Sequence, residues 1–539
     1  MTVRPLLKVT IATFTIAISF SSLLNPLLLA EDISPTVTRP PAPSIGVERY
    51  LENREAEDVF TPPSAIATVS SATTSSYQSD SCTSTTDTGC EHEEPYFLFS
   101  NEPIFGALKN VPLDFGNESL DGLTFSFGGA LRYRQMNEQN RLRPAGASVR
   151  NTYDLWRWQN YIEVYKGDDF GVHIEMIDAS SFNQELAPLS IDVNRTDFLK
   201  AYVDIKVAER DGKPIIFRTG RQFLNYGSQR LVSPLGWSNT FRSFEGFKII
   251  SKGEAWDIDA FATRPVNGAT GNINRPTSLD RADASRTFSG VYSTYHGIKN
   301  NTFDFYWLWL NEQKPRANRM DGNRHTVGMR WAGKSPVKNH SDEVTRLYSW
   351  DIEGAYQFGT DNDLLGVQQN VSAGFFTAIV NHQWVSTYMK PKVTGLFYWG
   401  SGDSDPNSGD INTFSSLFPL GHAYWGLIDN YSGQNFVDYS LQASIHPVDR
   451  LKLLAAMHWF NLDKQSDRVY NIAGAPLGTT NNGTSLGQEL DLVATYTFNK
   501  NMNVQLGYLW NWYGNAVTND ATLTRGDAKQ FYLMSTITY

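Results

Sequence analysis

Residues 123–134 alternate with a period of two: Leu123, Phe125, Phe127, Gly129, Leu131 and Tyr133 are interleaved with Thr124, Ser126, Gly128, Ala130, Arg132 and Arg134. Successive side chains of an extended chain point to opposite faces, so this run meets an apolar solvent on one side and a polar one on the other. Residues 153–165 repeat the pattern, with Trp156, Trp158, Ile162 and Val164 against Arg157, Gln159, Tyr161 and Glu163. In 170–176, His173 and Glu175 share one face; in 199–207, Leu199, Ala201, Val203, Ile205 and Val207 oppose Lys200, Tyr202, Asp204 and Lys206. Further runs fall near 215–224, 241–251, 255–264, 287–297, 302–311, 324–332, 346–358, 369–380, 385–400, 435–446, 450–460, 488–499, 503–513 and 528–539. Together these predict an all-β chain: a transmembrane antiparallel β-barrel of about 18 strands, even-numbered as outer-membrane barrels are.

Composition agrees with that reading. Aromatics make up 13% of the 539 residues, yet mean hydropathy is −0.36, as expected where half of each strand faces lipid and half faces water. No segment beyond the leader reaches the ~18 consecutive apolar residues of a spanning helix. The net charge of −10, with Lys and Arg scattered, argues against nucleic acid as a partner. Residues 1–30 carry Arg4 and Lys8, an apolar stretch near 11–24 and a small Ala30 before Glu31, which predicts a cleaved secretory signal. Residues 31 to about 94 are Pro-rich and then Ser/Thr-rich, too poor in apolar surface to offset ordering entropy, and are expected to be a disordered periplasmic arm; arm and leader together span 31–121. Residues 122–539 form the expected barrel domain. Cys82 and Cys90, in an exported polar segment without nearby His, suit a small local disulfide better than zinc.

Connections come in two sizes. Lys166-Gly167-Asp168-Asp169 and Asn499-Lys500-Asn501 suit periplasmic turns, whereas 265–286, 401–434 and 461–487 suit extracellular loops. The stretch 396–429 ends a strand that is bulky on both faces, passes through SGDSDPNSGD, and turns apolar again at Phe414, Phe418, His422, Tyr424 and Trp425. Asp403, Asp405 and Asp410 lack the ligand spacing of an EF-hand and read as turn residues. The run SGD, spacer, NTF, LFP, GHAYWG and Asp429 resembles the signature region of the alginate-export family of outer-membrane barrels. GGALRYR at 128–134, FRTGRQFLNYGSQRLVSPLGWSNTFRSFEGF at 217–247 and GQELDLVATYTFNKNMNVQLGYLW at 487–510 extend the likeness over most of the chain from about 122. The final strand ends on Tyr539, similar to the terminal signal read by the outer-membrane assembly machinery.

The resemblance implies an outer-membrane channel of a Gram-negative-type bacterium, passively passing an anionic polysaccharide such as alginate, or a related small anionic solute, with export as the expected direction and periplasmic secretion partners to be sought. Arg218, Arg221, Arg230 and Arg242 fall within one strand–loop–strand unit, and guanidinium groups suit carboxylates. With Arg132, Arg134, Arg157 and Lys200 they are the expected lumen cations; Glu163, Asp204, Asp257, Asp351, Glu489 and Asp491 are the expected acidic partners. The plainer reading of these rows is bracing inside the wall. A general or small-solute porin is the alternative function. A barrel-embedded hydrolase is less favoured, because Gly483-Thr484-Ser485-Leu486-Gly487 fits G-x-S-x-G but precedes a strand and lacks the strand-to-helix elbow; a soluble β-sandwich lectin conflicts with the two-solvent alternation. No cofactor or metal is implied.

Overall fold

The computed structural model describes residues 108–539, apart from 114–115, 117–121, 143–149, 268–278, 313–321, 363–366, 407 and 524–525. The signal, most of the arm, and Cys82 and Cys90 lie outside the described residues. Eighteen strands form the wall. In chain order they are β1 Leu123–Gln139, β2 Arg150–Lys166, β3 Phe170–Phe182, β4 Asn194–Arg210, β5 Lys213–Gln222, β6 Phe244–Ser251, β7 Trp256–Asn267, β8 Arg286–Tyr295 and β9 Asn301–Glu312. They continue as β10 Gly322–Lys338, β11 Val344–Asn362, β12 Gln368–Trp384, β13 Lys392–Gly400, β14 Phe436–Val448, β15 Leu451–Asn461, β16 Ser485–Asn499, β17 Met502–Tyr513 and β18 Ala528–Thr538. Each pairs antiparallel with the next, and β1 pairs with both β2 and β18, which closes the barrel and leaves no open edge in the bilayer.

The seam has a second closure. β18 covers β1 only from Ala130, and below it Tyr539 exchanges backbone hydrogen bonds with Gly129 at 2.9 Å in both directions. A short strand, Val111–Leu113, then pairs with Leu123–Phe125 and occupies the edge that β18 does not reach.

Alternation sorts the wall as the sequence predicts. On β2, Trp156 is 42% exposed to the outside while adjacent Arg157 is 2% exposed and faces the interior. One expected strand is shorter than its apolar pattern suggested. Residues 385–391 form a turn, with Met389 and Lys390 at φ +63° and +45°, and β13 starts only at Lys392. The turns at 211–212, 449–450 and 500–501 are short and lie at the end where β1 begins, and the long connections gather at the other end.

The interior departs from a simple water-filled lumen. Phe244, Phe288, Phe375, Phe436 and Phe460 point inward near the long-loop ends of their strands and are buried with Phe414, Phe418 and Trp425 in one apolar cluster. This explains why β13 is bulky on both faces: its inward Leu396 and Tyr398 meet a folded loop, not solvent, and the Tyr398 ring abuts Trp425 edge-on at 5.6 Å.

Candidate functional site in the barrel interior

Two connections fold into the barrel. The first inner loop, residues 223–243 between β5 and β6, and the second, residues 401–435 between β13 and β14, pair with each other inside. Ser233 N donates to Phe418 O, Phe418 N to Leu231 O and Leu420 N to Gln229 O, each at 2.9 Å. The loops hold five non-glycine residues in left-handed backbone, Gln229, Leu235, Leu417, Asp429 and Asn435, with φ between +50° and +61°. Such conformations cost about 1–3 kcal/mol each and persist where surrounding contacts over-determine them.

Those contacts come from the wall arginines. Arg132 on β1 donates to Gly236 O at 3.0 Å and to Ser238 O, and Arg157 on β2 donates to the same two carbonyls at 3.0 and 3.1 Å. Arg134 donates to Trp237 O and lays its guanidinium 3.6 Å over the Trp237 ring. Charge-assisted hydrogen bonds of this kind contribute roughly 1.5–3 kcal/mol each. The other end of the first loop is held on the far wall. Arg230 donates to Asp351 at 2.9 Å and Glu353 at 2.7 Å on β11, and Ser228 donates to Asp351.

The second loop turns at its tip. Trp237 Nε1 donates to Asp429 Oδ2 at 3.1 Å, the same oxygen lies 2.8 Å from His422 Nδ1, and the Trp237 and His422 rings stack with centroids 3.8 Å apart. Burial lowers the His422 pKa and Arg134 and Arg141 lower it further, while Asp429 raises it; the balance is downward. The tip seats on β16, where Glu489 accepts from Ile428 N at 3.0 Å and Asp491 from Leu427 N at 3.4 Å. Gly426 permits that approach: its φ is +84°, and a Cβ there would collide with Glu489 Oε1.

This layer divides the interior. Above it, a chamber of about 1480 Å³ is lined by residues of both inner loops and of the long-loop ends of the wall; below it lies a cavity of about 40 Å³ bounded by Gln442, Leu454, Ala456 and His458. His422 borders both.

The remaining expected site residues take other positions. Arg218 forms a two-pronged pair with Asp204 at 2.7 Å per contact, and Lys200 pairs with Glu175 at 2.5 Å. His173 sits between Glu163 at 2.9 Å and Glu175 at 3.4 Å, its ring stacked between Tyr161 and Tyr202. Arg221 bonds Asp197 and two backbone carbonyls. Asp257 stands apart at the short-turn rim, held by Lys252 at 2.7 Å. Arg242 differs from the rest: it borders the upper chamber, and among the described residues its guanidinium donates only to the Ser233 and Pro419 carbonyls and forms no ion pair. Burial and neighbouring Arg286 push its pKa down to about 9, which leaves it cationic at neutral pH.

Asp403 serves as a turn residue, with its carboxylate accepting from Asp405 N at 3.0 Å and Asn412 N at 3.3 Å. Ser485 is the first residue of β16 and sits on no elbow. Trp237 and Arg141 escaped the sequence reading as site residues, and His422 and Asp429 were legible only as members of the loop signature, without their contacts. The available signal was the doubly bulky strand end at Leu396 and Tyr398, which announces that a loop packs inside.

A family model for alginate export matches residues 124–530. No curated protein matches the chain in sequence. Among solved structures the chain is similar to the outer membrane protein OpdK from Pseudomonas aeruginosa, with a TM-score of 0.52 at 11% identity over 77% of this chain and 98% of that one. An improved structure of OccK1 (OpdK) from the same organism gives 0.51 at 12% identity, again over 77% and 98%. These likenesses establish a shared barrel fold.

Proposed function

The chain belongs to the alginate-export family, and on that premise we propose that its barrel, an outer-membrane channel, passively conducts an anionic polysaccharide or related anionic solute, with export as the direction. The observation that carries this reading is Arg242. A buried guanidinium beside a second one, Arg286, with two backbone carbonyls as its acceptors, is short of negative charge on the side that faces the chamber. A uronate carboxylate supplies it. Arg286 is paired with Glu312 at 2.8 Å and Arg324 with Asp361 at 2.8 Å, so along this arc from the end of the first inner loop to β8 and β10 acidic partners hold the neighbouring cations in place and keep anion binding weak enough for release. Passage of a polymer then requires the inner loops to move aside.

A defined oligouronate added on the long-loop side is expected to block single-channel current, and Arg242→Glu to weaken that block at least tenfold with the barrel intact. An equal block in both channels contradicts the assignment.

One observation favours the small-solute porin as a second reading. The chamber lining carries seven carboxylates, Glu312, Asp361, Asp403, Asp405, Asp410, Asp429 and Asp467, against five arginines. If that balance, and not the local field around Arg242, governs permeation, the channel prefers cations.

A further inference from the structure

At Leu427 and Ile428 the second inner loop is seated on two carboxyl groups. Glu489 and Asp491 are two residues apart on the inward face of β16, about 6–7 Å along the strand, and both are fully buried. Their side chains come within hydrogen-bonding reach of each other, while between them they accept the consecutive amides of Ile428 and Leu427. Asn511 donates to Glu489 at 3.0 Å, and the nearest basic group to Asp491 among the described residues is His458, with Nε2 at 4.0 Å. Two buried carboxyl groups within reach of each other, one of which, Asp491, lines the lower cavity, cannot both ionise at little cost; a proton held between them removes the repulsion.

From this geometry we propose that Glu489 and Asp491 form a proton-dependent latch for the second inner loop. While they share a proton, the loop tip stays seated and the two cavities remain separate. Lifting the tip admits water, both carboxyls ionise, and one proton leaves to solvent. The lifted state therefore gains population as pH rises, by up to about tenfold per pH unit, the limit for one proton.

The other titratable groups around the tip act differently. His458 is paired with Asp438 at 2.8 Å on the adjoining strands, and Arg141 binds Glu138 at 2.9 Å and the Asp429 carbonyl. Arg134 stacks on Trp237, and the buried Tyr513 on β17 and Tyr532 on β18 neighbour Glu489 and Asp491. His422, within the loop, has its pKa lowered by burial and by the two arginines, so its protonation belongs to the acid side of neutrality, where it would add a separate loosening. The latch is thus read from neutral pH upward.

The latch rests on the channel reading but has its own test. In planar bilayers the open probability of the full-length wild-type channel is expected to climb with pH, whereas Glu489→Gln, whose amide replaces the shared proton permanently, should stay latched and lose the slope. Asp491→Asn should do the same if the first variant assembles poorly. In parallel, hydrogen exchange at Leu427 and Ile428 should speed up with pH more steeply in wild type than in Glu489→Gln, beyond the intrinsic base-catalysed rise common to both. A conducting wild type with flat open probability, or variants that track wild type in current or exchange, overturns the latch alone. A protein that conducts at no pH overturns the channel reading, and the exchange comparison then still decides whether the latch exists.

Discussion

Replacing residues 411–430 with a short Gly/Ser turn is expected to raise single-channel conductance on the order of tenfold, because it removes the layer that separates the chamber from the lower cavity. The wall should survive the excision. β13 and β14 remain paired from Lys392↔Ser444 to Gly400↔Phe436, and neither depends on the deleted residues for its ladder. The first inner loop loses its bonds to Phe418 and Leu420 and its stack on His422, but keeps the grip of Arg132, Arg134 and Arg157. The effect should therefore be large without being complete. Conductance unchanged within a factor of two would mean that ions already bypass the loop, and that the stacked layer is not a barrier.

The second large effect concerns stability. Arg230 is 2% exposed and supplies one nitrogen to both Asp351 and Glu353. Arg230→Ala leaves Asp351 with Arg330 and Ser228, and leaves Glu353 with the Tyr306 hydroxyl at 3.0 Å. Removing one member of a buried charged set costs about 3–5 kcal/mol, chiefly because the carboxylate left behind is dry and uncompensated. Adding Glu353→Gln should recover part of the loss, and the double-mutant cycle built on urea unfolding in lipid measures how much. A cost below about 1 kcal/mol would show that water reaches this wall and screens it.

The barrel is legible in the sequence because each strand lies between two unlike solvents, and few structures besides a two-faced strand sustain a period of two along an entire segment. The strand end at 385–391 misled for a physical reason: its left-handed residues are Met389 and Lys390, not Gly or Asn, so nothing before Pro391 marks the turn. The interior is harder to read. Alternation states that Arg132, Arg134 and Arg157 point inward, but their acceptors are backbone carbonyls 79 to 104 residues away in sequence, and a carbonyl carries no sequence signature. Trp237, His422 and Asp429 likewise acquire meaning only when two loops meet. Apolar residues in a loop, such as Phe414, Phe418 and Trp425, are the part of that arrangement written locally.

A selective pore occupied by its own loops can favour either sign of ion, and one recording separates the two readings. Full-length protein in a planar bilayer, held under a salt gradient of a symmetrical electrolyte, gives a reversal potential whose sign reports which ion moves more freely. If Arg242 and its arc set the local field, the sign corresponds to anion preference despite a net charge of −10 and a chamber with more carboxylates than arginines. A reversal potential of the opposite sign, showing cation preference, would contradict the anion channel and leave the family's barrel serving as a porin.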